Sequence, residues 1–186
     1  MTERNAKRLY DPAFERDSCG FGLIANLDDI PSHWVVETAI AALARLTHRG
    51  AVAADGKTGD GCGLLIKFPT AFLRAVGEDE GFVLAERFAA GTVFLSRDEA
   101  AADAAREVLN AAVAETGLEV AGWRTVPVDP SACGEKALAT LPRIEQIFVN
   151  APESMPRGRF NRRLFLARRR AENHFADEET YVASVS

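Results

Sequence analysis

Apolar residues recur at helical spacing in several stretches of the chain, and short apolar runs lie between them. Residues 33–47 put Val36, Ala39, Ile40, Leu43 and Leu46 on one helix face, with Ser32 as N-cap and Gly50 as the stop. Residues 98–116 do the same with Ala101, Ala105, Val108, Leu109, Ala112 and Val113, and Gly117 closes that helix. A basic helix is predicted over residues 160–175 and a short one near residues 131–139. Strands are predicted at 20–25, 64–68, 92–96, 120–128, 144–149 and 181–185, the second stopped by Pro69. Residues 51–63, with Gly56, Gly59, Gly61 and Gly63, read as loop, and the polar, aperiodic first 18 residues read as an extension. Alternating strands and helices suggest a parallel α/β sheet, although the pattern also accommodates an antiparallel sheet with helices on its faces.

Composition narrows the class without changing this picture. The chain has 186 residues, 47% hydrophobic and 26% charged, as in a folded domain or a large piece of one. A net charge of −5 carries no electrostatic footprint for nucleic acid, so no such partner is expected. No apolar run approaches the roughly 20 residues that span a bilayer, so no membrane partner is expected either. The first residues mix both charge signs and lack the apolar core of a secretory signal. Cys19, Cys62 and Cys133 are too few and too irregular for a disulfide framework or zinc knuckles, and the expected setting is the reducing cytoplasm.

Three segments carry candidate chemistry. Ser18-Cys19-Gly20-Phe21-Gly22 sets a thiol at the head of a glycine-rich run. Taken alone, Cys19 reads as a small buried hydrophobe rather than a nucleophile. Thr47-His48-Arg49-Gly50 is a basic pair at a helix C-terminus, where positive charge complements the helix dipole. Ala54-Asp55-Gly56-Lys57-Thr58-Gly59-Asp60-Gly61-Cys62-Gly63 has the glycine content of a phosphate loop but not its spacing, which excludes nucleotide binding there.

In sequence, these segments say more. Cys-Gly-x-Gly, then Ala-Leu-x-Arg-Leu-x-His-Arg-Gly-Ala, then Ala-Asp-x-x-Thr-Gly-Asp-Gly-x-Gly resembles the amidotransferase domain of glutamate synthases, a family of N-terminal-nucleophile glutaminases. Pro127-Val128-Asp129-Pro130, the stretch from Pro142 through Arg143, Ile144, Glu145 and Gln146 to Val149, and Phe160-Asn161-Arg162-Arg163-Leu164-Phe165 extend the similarity. Tyr181-Val182-Ala183-Ser184 carries it close to the last residue. The Thr-Gly-Asp-Gly loop and the Pro-Arg-Ile-Glu-Gln stretch distinguish it from amidophosphoribosyltransferases of the same class.

The resemblance implies an α+β fold, the four-layer αββα sandwich of N-terminal-nucleophile hydrolases, here incomplete at the C-terminus. It implies a propeptide over residues 1–18 and a partial glutaminase domain over residues 19–186. Cys19, freed as residue one, would be the catalytic nucleophile attacking glutamine, with its own α-amino group as general base. Gly20 would keep the backbone beside it open, and Arg49 and Asp60 would support the site. His48 is not implied as a base. Cys62 stands where the family usually has alanine and Phe21 where valine is common, both small departures; Cys133 is read as structural. No cofactor is implied for this segment. FMN and an iron–sulfur cluster would belong to a synthase domain elsewhere, and the implied partners are the rest of the large subunit and a small NADPH-oxidising subunit.

No Asn-Gly dipeptide occurs in the sequence, although the family uses one for its oxyanion hole. The 186-residue chain alone is therefore expected to be inactive or nearly so. The competing reading is a non-catalytic remnant or partner-binding module of the same fold, with the basic helix around Arg168-Arg169-Arg170 as its surface.

Overall fold

Strand β3 (Arg143–Asn150) lies inside a four-stranded sheet, between β2 (Glu119–Thr125) and β1 (Phe88–Leu95), and β4 (Tyr181–Val185) completes the order β2-β3-β1-β4. This computed structural model describes residues 20–46, 50–59, 61–177 and 179–186, and the sheet belongs to the second of its two units, Lys67–Ser186. All three strand pairs are antiparallel.

The parallel arrangement suggested by alternation is thus not what forms, and the connections explain why. β1 and β2 run the same way, joined by α3 (Glu99–Glu115), but β3 lies between them. β3 and β4 also run the same way, joined by α5 (Arg157–Glu172), but β1 lies between them. Two β-α-β units are interleaved, so every hydrogen-bonded neighbour comes from the other unit and is antiparallel. The α+β class with an antiparallel sheet is what the chain adopts.

Strand periodicity decides which side chains are buried where. Register pairs such as Ala89↔Val149 and Gly91↔Ile147 place alternate residues on one face. There Ala89, Val93, Leu95, Ile147, Val149 and Val182 form a core with Leu109 and Val113 of α3 and Phe160 and Leu164 of α5. Complete burial of such a side chain contributes roughly 1.5–3 kcal/mol, so this cluster outweighs any single polar contact in the unit. Alanines from both helices belong to this core: Ala102, Ala105 and Ala112 on α3, Ala167 and Ala171 on α5. Their small size explains the alanine bias of α3. Asp98 caps that helix by accepting from the Ala101 amide at 2.9 Å, and Gly117 closes it at φ 69°.

The other sheet face carries a smaller core. Leu73 and Val76 of α2 (Thr70–Asp79) pack with Leu84, Phe88 and Phe148. This helix was not expected from the sequence. Pro69 reads as a strand stop but occupies the N-cap position, and Gly77 interrupts the apolar stripe because it packs against Leu84 and Phe82. The predicted short helix near residues 131–139 becomes a 3₁₀ turn, Pro130–Ala132, and α4 (Glu135–Thr140).

In the first unit, α1 (His33–Ala44) forms as predicted, with Ser32 at its N-cap position although without a side-chain capping bond. Of the predicted apolar face, Val36, Ala39, Leu43 and Leu46 are half-buried, whereas Ile40 is 53% exposed. The strands predicted at 20–25 and 64–68 do not form: Phe21 is 94% exposed and Leu65 fully so. A strand exists through its ladder, and among the described residues no neighbour pairs with either segment.

Candidate active site

Gly20 is the first described residue, exposed, and the chain from there through Ala25 has no regular secondary structure. Cys19, Arg49 and Asp60, expected to form and support the site, lie outside the described residues, as does His48. No two of the expected residues are therefore brought together by the described part of the chain. Beside Gly20, a Cβ built on Gly22 would meet nothing within 4 Å, so the backbone after Cys19 is unobstructed. The run ends in a turn built by Asn26, whose side-chain amide donates to the Ile30 carbonyl at 3.0 Å while its oxygen accepts from the Asp28 amide at 3.3 Å. That turn leads into α1.

The glycine-rich loop is organised by a residue to which the sequence reading gave no role. Val52 and Gly59 form an isolated antiparallel bridge, and the Ala53 amide donates to the Thr58 carbonyl at 2.7 Å. Inside it, Asp55 Oδ1 accepts from the amides of Lys57 at 3.0 Å and Thr58 at 2.8 Å. Its Oδ2 accepts from the Thr58 hydroxyl at 2.5 Å. Gly56 takes the positive φ, 69°, that the turn requires. The Asp-x-x-Thr of the motif is therefore a clasp that fixes the loop leading to Asp60. Its signal was legible: an aspartate three residues before a threonine is an Asx-type turn. Cys62, beyond the loop, is exposed, and Cys133 is half-buried.

The later motif segments hold the fold together. Asp129 accepts from the Ser131 hydroxyl at 2.6 Å and the Ser131 amide at 3.0 Å, capping the 3₁₀ turn. Those two bonds hold its carboxyl below the usual carboxylate range. Glu145 is buried and accepts from Arg106 and Arg143. Burial alone would lower the pKa of the Arg106 guanidinium, but hydrogen bonding to Asp103 and the charge of Glu145 outweigh it and the net shift is upward.

An open groove of about 390 Å³ lies where α5 meets β4, lined by Arg168, Arg169, Glu172, Asp177 and Tyr181 among others. Its two arginines are both engaged by Glu172, at 2.6 Å and 2.7 Å, which removes them as an anion site. Among the described residues no group of three or more His, Cys, Asp or Glu side chains is placed to share a metal ion, and no helix is long and apolar enough to cross a membrane.

Comparison with known proteins gives the remaining constraint. The family profile of the class-II glutamine amidotransferases matches residues 19–186. The chain is 37% identical over 184 residues to the glutamate synthase [NADPH] large chain of Bacillus subtilis, covering 97% of this chain and 12% of that protein. It is 39% identical over 195 aligned positions to the corresponding large chain of Azospirillum brasilense, covering all of this chain and 12% of the relative. Against the ferredoxin-dependent glutamate synthase 1 of Arabidopsis thaliana it is 36% identical over 184 residues, with 96% and 11% covered. The chain thus spans only 11–12% of the length of these relatives. With the family matched across all but the first 18 residues, the chain belongs to the class-II glutamine amidotransferases.

Proposed function

We propose that this chain is the leading part of the glutaminase domain of a glutamate synthase and that Cys19 is its nucleophile. The observation that carries the reading is that the family match begins at Cys19 and leaves residues 1–18 outside it, as a removable propeptide requires. Once freed, the α-amino group of Cys19, with an ordinary pKa near ~8, accepts the thiol proton. The thiolate attacks the side-chain carbonyl carbon of glutamine, the carbon–nitrogen bond breaks, and ammonia leaves with that proton. Water then cleaves the thioester, giving glutamate and restoring the thiol. Gly20 and Gly22 leave room for substrate beside the nucleophile. Arg49 favours the thiolate by its charge, and Asp60, at the end of the Asp55-clasped loop, orients neighbouring backbone.

On this reading the sheet of residues 67–186 forms one β layer, with α3 and α5 as its outer helices, of a four-layer αββα sandwich. Ammonia then passes to a synthase domain outside this chain, where 2-oxoglutarate is reductively aminated, with a small NADPH-oxidising subunit as electron donor. FMN and an iron–sulfur cluster belong to that domain. Among the described residues no group of three or more His, Cys, Asp or Glu side chains is placed to hold a metal centre, so they offer such a cluster no site. We place the enzyme in the cytoplasm.

The test is the intact mass of the polypeptide made by its source, followed by alkylation with a glutamine analogue carrying a γ-haloketone. A chain beginning at Cys19 and labelled on that thiol is expected, with labelling lost in Cys19→Ser. A chain that still begins at Met1 or Thr2 and takes no label would remove the catalytic reading. The 186-residue chain alone is expected to hydrolyse glutamine at least ~100-fold more slowly than one that also supplies the oxyanion pair.

A further inference from the structure

Two surfaces of the Lys67–Ser186 unit are complementary in charge, and they lie on opposite sides of its sheet. The first is the outer stripe of α5. Phe160, Leu164, Ala167 and Ala171 hold that helix on the sheet, and the opposite stripe leaves Phe165 61% and Leu166 40% exposed. Arg159 and Arg162 flank them, and among the described residues neither has a carboxylate within ion-pair distance. The second surface is the turn after α2. Glu78, Asp79 and Glu80 are exposed and likewise without a cation partner among the described residues, and Val83 beside them is 85% exposed.

Three carboxylates at a helix C-terminus oppose the helix dipole, an arrangement that a nearby cation relieves. The turn is also pre-organised. Arg74 donates to the Leu84 carbonyl at 3.0 Å and the Ala85 carbonyl at 2.8 Å, and Asn150 Nδ2 donates to the Val83 carbonyl at 3.0 Å. Since α5 packs on the larger core and α2 on the core of the other sheet face, the two surfaces of one molecule cannot meet.

We infer that the outer face of α5 docks on the α2 turn of a second copy of this chain. Val83 sits against Phe165 and Leu166, and the three carboxylates face Arg159 and Arg162. The contact is heterologous, so each joined copy keeps one free surface of each kind and association continues past a dimer. Exposed ion pairs are individually weak, so the association is weak and sensitive to salt.

Sedimentation velocity of the full chain tests this. The weight-average mass is expected to rise with concentration past twice the monomer at low salt, and raising salt to about 0.5 M should weaken association at least ~10-fold. Arg159→Glu with Arg162→Glu removes it, and so does Glu78→Lys with Glu80→Lys. An equimolar mixture of the two double variants recovers it, because each contact again joins opposite charges. Should either variant fail to fold, the salt dependence and the absence of a ceiling at the dimer mass decide for the wild-type chain. A chain that stays monomeric, a mass that stops at the dimer, or association insensitive to salt overturns the inference. So does salt-sensitive binding of a labelled single-stranded oligonucleotide to a chain that remains monomeric.

Discussion

Arg106 Nη1 donates to Glu145 Oε1 at 2.8 Å, tying α3 to β3 through a carboxylate that is 4% exposed. Arg143 Nε donates to the same oxygen at 2.5 Å. Glu145→Ala leaves both guanidinium groups short of an acceptor and is expected to cost about 3 kcal/mol. Arg106→Met combined with Glu145→Leu should cost less than Glu145→Ala alone, because apolar side chains then fill the space of both partners while Arg143 keeps Glu99. Urea denaturation of these two variants against the native chain measures the difference; a double variant that costs as much as Glu145→Ala would refute the expectation.

Glu172 gives the fold a definable acid sensitivity. Burial alone would raise its pKa, but hydrogen bonds from Arg168 and Arg169 and their charges outweigh burial and hold the carboxyl below its ordinary 4.5. A folded-state value below the unfolded one contributes stability that is present above the unfolded pKa and is lost as pH falls through the folded one. Stability of the native chain should therefore decline as pH drops below about 4.5, and Glu172→Gln should flatten that decline while lowering stability at neutral pH. Urea midpoints measured at successive pH values below neutrality test the slope.

Gly91→Ala is expected to loosen β4. A Cβ there would lie 2.6 Å from the Ser184 carbonyl oxygen and 2.7 Å from Val185 Cγ2, so the edge strand must shift away. Overpacking of this kind typically costs about 1–3 kcal/mol. Hydrogen exchange should speed up at residues 181–185 well before it does at β3, and uniform acceleration throughout the sheet would contradict the local account.

Asp55→Ala removes three acceptor contacts from a short loop. The expected outcome is local: faster amide exchange at Lys57 and Thr58, with at most about 1–2 kcal/mol lost globally. Asp55→Asn, which keeps one carbonyl acceptor, should retain part of the protection. Unchanged exchange at Thr58 in Asp55→Ala would show that the clasp does not order the loop.

What the sequence made legible follows from how local each signal is. The limits of α3 were readable within a residue because Asp98 and Gly117 mark them chemically. β3 was readable because Ile144, Ile147, Phe148 and Val149 within it are β-branched or aromatic. The segments 20–25 and 64–68 have equally strong strand composition, but pairing depends on distant partners that composition does not encode. α2 was hidden because its acidic end and Gly77 look like a loop until Phe82 and Leu84 are seen packing on that glycine. Arg143 and Glu145 belong to a recognisable motif, yet only the fold shows that they pair with Glu99 and Arg106 of α3. Cys19, Arg49 and Asp60 rest on family resemblance, since no periodicity distinguishes a nucleophile from a buried thiol.

The interleaved strand order also dictates the timing of assembly on the ribosome. β1 and β2 are synthesised first, but neither neighbours the other in the finished sheet, and each must wait for the stretch ending at Asn150. Until then their apolar side chains and unpaired backbone N–H and C=O groups have no partner strand from this sheet. When β3 emerges, it meets both at once. The β1–β3 and β2–β3 pairs, most of the sheet, can therefore form only once β3 has been made.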